Sequence, residues 1–223
     1  MIPWQTIEKV RTQDGTELAL CRRGEEWMVR CDGKPLMSTR QHGSEEALAA
    51  LGLEKLKSPK RVFVGGLGLG FTARAALDRL GKDAELVIAE FTPALVEWNR
   101  EHVGEFARHP LKDSRATVLH VDAVKEIYRA PRAWDALLLD IDNGPAAMVH
   151  DSNHRLYGVA GIAACYAALR PGGALSVWSS GPDAAYLKRL IKSGFNASAH
   201  TVGSRGGGGG VKHTIFVGFR PVQ

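Results

Sequence analysis

The segment Arg61–Thr72, Arg-Val-Phe-Val-Gly-Gly-Leu-Gly-Leu-Gly-Phe-Thr, constrains the fold more than any other part of the chain. Its apolar run reads as a buried strand, and the glycines that follow read as a tight turn opening into a helix. Gly66, Gly68 and Gly70 form a G-x-G-x-G turn. Without side chains there, the main chain can approach a ligand closely and helix N–H groups can point at it. A dinucleotide fingerprint needs a glycine three positions after Gly68, and Phe71 stands there instead.

Beyond Arg61 the pattern alternates strand and helix. The strands are expected at 62–65, 85–90, 116–120, 134–140, 174–178, 195–201 and 212–219. Helices are expected at 71–80, after Thr92-Pro93, after Asp122, at 156–169 and at 183–192. The Ala-Leu-Leu-Leu of 136–139 is apolar without alternation, as a strand covered on both faces should be. The expected fold is α/β, a doubly wound, mostly parallel seven-stranded sheet. Residues 4–39 carry shorter alternating runs divided by Asp14-Gly15, Arg23-Gly24 and Asp32-Gly33, which are hairpin signals. That pairing sets Cys21 against Met28. Ser44 is a candidate cap for a helix whose first turn holds Glu45 and Glu46. The organisation is thus a β-hairpin module at 1–43, a connecting helix and linker at 44–60, and an α/β catalytic domain at 61–223. Gly206–Gly210 reads as a mobile hairpin tip.

With 223 residues, 44% hydrophobic and 24% charged, the chain can build one main core. It has no stretch near the ~20 apolar residues that a bilayer span needs and no leader-like start, so a cytoplasmic protein is expected. Three cysteines without C-x-x-C spacing suggest neither a disulfide framework nor a metal knuckle. The net charge of +5 permits contact with nucleic acid, and Lys55, Lys57, Lys60 and Arg61 form a short basic cluster. A solvated linker explains that cluster more simply. His150 and His154 are four apart, but no glutamate follows His150 and no metal is expected.

In open parallel sheets, ligands bind beyond the carboxyl ends of the strands, where the connection order reverses. Acids stand at three successive ends of this kind. Glu90 closes strand two, where a carboxylate can accept from ribose hydroxyls. Asp122 follows strand three, in reach of an adenine amino group, and Asp140 closes strand four, beside a reactive sulfur. With Gly66, Leu67, Gly68, Gly70, Phe91 and Ala123, these acids outline a site for S-adenosylmethionine (SAM).

Four segments carry a family resemblance: VFVGGLGLG from Val62, ELVIAEFTPALVEWNR from Glu85, WDALLLDIDNGPA from Trp134 and ALRPGGALSVWS from Ala168. The stretch 61–194 resembles spermidine synthase, the aminopropyltransferase branch of the SAM-dependent methyltransferase fold. The resemblance implies that Asp140 is the catalytic aspartate and that Glu90 and Asp122 hold ribose and adenine; Asp142 or Asn143 is expected to help Asp140 through hydrogen bonds. Gln41, His42, Asn143 and Tyr157 are expected to face the acceptor. A homodimer is also implied.

Two departures bear on the reaction. Gly68 stands where the family's glycine loop carries an aspartate, and no tyrosine falls beside Gln41-His42-Gly43-Ser44-Glu45-Glu46. The expectation from sequence is therefore methyl transfer from SAM to a small amine. The alternative is aminopropyl transfer from decarboxylated SAM, with Asp142, Glu45 or Glu46 replacing the missing acid. RNA modification and nucleoside binding without catalysis are readings of another class.

Overall fold

The computed structural model describes residues 2–12, 15–141 and 154–222. At the N-terminus, β1 (Gln5–Arg11), β2 (Glu17–Arg23), β3 (Glu26–Cys31) and β4 (Lys34–Ser38) form an antiparallel sheet in chain order. Cys21 pairs with Met28, as the hairpin register requires. The first strand was not legible in the sequence because a register shift between Thr6 and Glu8 breaks its alternation.

The second sheet has seven strands: β5 (Arg61–Gly65), β6 (Glu85–Ala89), β7 (Ala116–Leu119), β8 (Trp134–Leu139), β9 (Leu169–Ser179), β10 (Asn196–Gly203) and β11 (Lys212–Phe219). Their order is β10-β11-β9-β8-β5-β6-β7. The strands from β7 to β9 are parallel, while β11 and β10 run antiparallel at one end. Seven α-helices accompany them among the described residues: α1 (Gly43–Leu53), α2 (Phe71–Leu77), α3 (Pro93–Trp98), α4 (Ala123–Arg129), α5 (His154–Tyr157), α6 (Val159–Ala168) and α7 (Ala184–Lys192).

Alternate strand residues feed two cores. Phe63, Leu137, Leu139, Leu175 and Val177 pack against α4, α6 and α7, whereas Val62, Val64, Ile88, Ala136 and Leu138 pack against α1 and α2. The sheet is therefore doubly wound. Leu18, Leu20, Trp27 and Val29 of the hairpin sheet pack on Leu69, Phe71, Leu95 and Trp98, so that sheet seals the far side of the glycine loop. Among the described residues, no helix is long and apolar enough to cross a membrane.

Three local expectations need correction. The helix expected at 156–169 is interrupted at Gly158, whose extended backbone separates α5 from α6. Strand β9 begins at Leu169, because Leu169 pairs with Trp134 and the Pro171-Gly172 irregularity is absorbed within the strand. Gly172, at φ +81°, directs its N–H to the Arg220 carbonyl at 3.0 Å. Ser44 does not cap α1: His42 occupies the cap position, and the buried Ser44 hydroxyl donates to Glu45 Oε2 at 2.5 Å.

Candidate active site

The chain leaves β5 outward to β6 and β7, then returns to β8 on the other side of β5. This reversal opens a crevice between the carboxyl ends of β5 and β8. Two groups meet there. Gly66 has φ +88°, and a Cβ on it would collide with the Asp140 carbonyl oxygen. The Asp140 N–H donates to the Gly65 carbonyl at 2.8 Å, tying strand end to loop. Gly68 differs, for at φ +52° its missing Cβ would sit 3.4 Å from Met37 Sδ, an ordinary contact. Here the left-handed backbone selects glycine, not a lack of room.

Asp140 is the centre of the site. The Thr72 hydroxyl, at the start of α2, donates to Asp140 Oδ2 at 2.8 Å, and the Thr72 hydroxyl oxygen also lies 3.4 Å from the Glu45 carbonyl oxygen. Burial pushes the Asp140 carboxyl above the usual range, and Thr72 pulls it partly back. Burial likewise raises Glu45, with the Asp140 charge as the second cause and the Ser44 hydroxyl opposing it. The groups bearing most on either carboxyl include no basic side chain. The site holds two part-exposed residues whose carboxyls are both pushed up by burial. Glu46 turns away, lining a surface cleft with Phe71, Arg74 and Asp78, and its Oε1 lies 3.0 Å from His42 Nδ1.

Glu90 is buried and supports the loop directly. Leu67 N–H donates to its Oε2 at 2.9 Å and Thr92 N–H to its Oε1 at 2.7 Å. Burial still raises its protonation range against these bonds. The main-chain N–H groups of Phe91 and Gly68 also bear on this carboxylate. Phe91, next in chain, is 60% exposed. Asp122 caps α4 by accepting from Val124 N–H at 2.8 Å, with Ala123 buried beneath it. No described contact joins Asp122 to the loop or to Asp140, since β7 lies at the sheet edge.

The acceptor-side expectations divide. His42 stacks on Phe71 at 4.0 Å and 9°, and Gln41 is exposed, accepting from the Ser204 hydroxyl at 3.4 Å. Tyr157, expected on the acceptor side, is 3% exposed within the core, and its hydroxyl donates to the Ile141 carbonyl at 2.9 Å. It anchors the residue after Asp140 and is packed edge-on against Tyr186. Asp142, Asn143, Gly144–Ala146 and His150 lie outside the described residues. The Gly206–Gly210 tip is a closed turn, with Arg205 N–H bonded to the Gly209 carbonyl and Ser204 N–H to the Val211 carbonyl, each at 2.9 Å. Gly43 N–H donates to Ser204 in turn, which joins that hairpin to the start of α1.

Thr72 and Asn99 escaped the sequence reading. Asn99 opens a π-helical turn after α3, and its Nδ2 donates to the carbonyls of Gly68 and Leu95, each at 2.8 Å. A threonine directly after G-x-G-x-G-Phe was the available signal for Thr72. Nothing local marks Asn99. Three residues of the basic cluster make contacts within the chain: Arg61 pairs with Glu85 and covers Trp134, Lys60 faces Asp83 at the surface, and Lys55 lies over Phe219.

A spermidine synthase solved with the transition-state analogue AdoDATO superposes with TM-score 0.81 at 17% identity, covering 98% of this chain and 75% of that one. The Thermotoga maritima spermidine synthase gives 0.78 at 17% identity, over 98% and 74%. The chain has the spermidine-synthase fold. A probable spermidine synthase from Corynebacterium glutamicum gives 0.68 at 17% identity, over 96% and 79%. In sequence, the chain is similar to polyamine aminopropyltransferase 2 of Pseudomonas aeruginosa, 29% identical over 148 residues and 62% of this chain. That match spans only 40% of the relative's length. No protein-family model matches the chain. The spermidine-synthase fold accounts for both the hairpin sheet and the seven-stranded sheet with its crevice at β5 and β8.

Proposed function

We propose that this chain is a group transferase that moves an aminopropyl group from decarboxylated SAM to a small amine. The observation that carries this reading is the carboxyl pair Asp140 and Glu45, raised by burial and without a basic partner among the groups that bear most on it. Such a pair is stabilised by a cationic ligand and opposed by an anionic one. Decarboxylated SAM brings a sulfonium and an ammonium with no carboxylate, whereas SAM brings a carboxylate that the pair would repel. Glu45 thus compensates for the acid missing at Gly68, and methyl transfer, the first expectation from sequence, loses its support. The aminopropyltransferase names of the relatives agree with this choice.

The donor supplies an electrophilic CH₂ next to its sulfonium. The neutral amine's lone pair forms the new carbon–nitrogen bond while the carbon–sulfur pair leaves with sulfur, and the nitrogen's proton passes to Asp140. A carboxyl raised by burial is suited to receive that proton near neutral pH. Glu90, which itself holds the glycine loop through the Leu67 N–H, orients the nucleoside, with the exposed Phe91 ring available to its base. Holding the amine in line with the breaking bond can contribute about 7–11 kcal/mol, more than proton transfer does.

Isothermal titration with SAM and decarboxylated SAM, followed by mass spectrometry of the product formed with an amine, tests the proposal. Tighter binding of the decarboxylated donor and an aminopropylated amine are expected. Preference for SAM, or methylated product, would overturn it.

A further inference from the structure

The carboxyl edge of the sheet holds a second group of residues that the transfer chemistry does not use. Leu139 pairs with Val177, so the residues that follow, Asp140 and Trp178, are neighbours on strands about 4.8 Å apart. They share a face of the sheet. A Cβ on Gly52 of α1 would touch both Leu138 and Ser176, which sets those two residues beneath α1, and alternation returns Asp140 and Trp178 to that side. Ile215 pairs with Trp178, so His213, two residues along β11, stands on this face as well. A row Asp140, Trp178, His213 runs beneath the start of α1.

The Trp178 and His213 rings are 4.7 Å apart at 36°. Trp178 Nε1 and His213 Nδ1 are both buried without a hydrogen-bond partner. Buried polar groups are nearly always paired, and two orphans in one ring contact beside a candidate active site call for a ligand. Both side chains remain partly exposed at the sheet edge. Burial lowers the His213 protonation range, so the ring is neutral near pH 7 and offers one donor and one acceptor nitrogen. The indole N–H can only donate.

We propose that Trp178 and His213 receive the remote end of the amine acceptor and select acceptors ending in a hydroxyl or carboxamide over diamines. The inference rests on the transferase reading above. A hydroxyl or carboxamide both donates and accepts, so it satisfies the indole N–H and the imidazole in either tautomer. An ammonium only donates and leaves the indole orphaned. An alkyl end leaves both.

The full-length protein, supplied with decarboxylated SAM, is assayed for kcat/KM on aminobutanol, aminobutanamide, diaminobutane and butylamine. Aminobutanol or aminobutanamide should exceed diaminobutane by about tenfold, the usual cost of leaving one buried donor unpaired. Trp178→Phe keeps a ring but removes the N–H, and should reduce that ratio to about twofold or less. Titration of the wild type with the same amines gives the order independently, should the variant fail to fold. Equal or better use of diaminobutane, or a ratio unchanged in Trp178→Phe, would overturn the inference while leaving the transferase reading intact. No product from any of these acceptors would overturn the aminopropyl-transfer reading, and this inference with it.

Discussion

Replacing Asp140 by asparagine should make the protein more stable and inactive at once. The ordinary aspartate value of 3.8 is raised to about 6 by burial, with the Thr72 hydroxyl opposing. A carboxyl raised on folding binds more protons in the folded chain than in the unfolded one between these two values. Stability therefore falls as pH rises through that window and stays low above it. The ionised form costs the fold about 3 kcal/mol at pH above both values, an upper bound for a group that retains some contact with water. Glu45, raised partly by the Asp140 charge, carries the decline to higher pH. Asparagine keeps an oxygen for the Thr72 hydroxyl and removes the charge from both accounts. Thermal unfolding at about pH 8 should shift upward by roughly 6–12 °C in a chain of this size, and by much less at about pH 4. The same variant should lose turnover while still binding the donor nucleoside more weakly. An unchanged or lowered melting temperature near pH 8 would refute the idea that burial strains this carboxyl. Retained turnover would mean that the chemistry lies elsewhere.

Thr72→Val removes the donor to Asp140, so the carboxyl should rise further and the pH–rate profile should shift to higher pH; an unmoved profile would argue against the contact at 2.8 Å. Gly68→Asp introduces an acid on the loop where, among the described residues, Met37 is the near neighbour, and should tighten decarboxylated SAM several-fold in titration despite about 1–2 kcal/mol of left-handed backbone cost. Gly66→Ala should fail to give soluble, cooperatively folded protein, because its Cβ meets main chain at Asp140; a normal unfolding transition would contradict that geometry. Trp134→Ala, which empties a site packed between Phe63 and Arg61, should cost about 3–5 kcal/mol in urea unfolding.

Much of the local structure was legible in the residues because its causes are local. Asp122 and Asp183 cap α4 and α7 through bonds that span two or three residues, and Pro93 starts α3 one position after Thr92. The apolar run 136–139 announced a strand covered on both sides, and alternation set Cys21 opposite Met28. Misreadings arose where tertiary pairing overrode local rules. Leu169 to Gly173 carries a turn-like Pro-Gly-Gly sequence, yet Trp134 and Arg220 hold it in β9.

By itself, the sequence determined that a strand, a glycine turn and a helix recur with acids at successive strand ends. Periodicity and capping act over a few residues and need no partner from elsewhere. Only the tertiary structure decided which acid faces Asp140. Glu45 and Glu46 are adjacent and chemically alike, but α1 crosses the sheet so that one is withdrawn beside Asp140 and the other lines an outer cleft with Phe71. Thr72, Asn99 and Trp178 reach their positions in the same way, through packing between segments tens of residues apart.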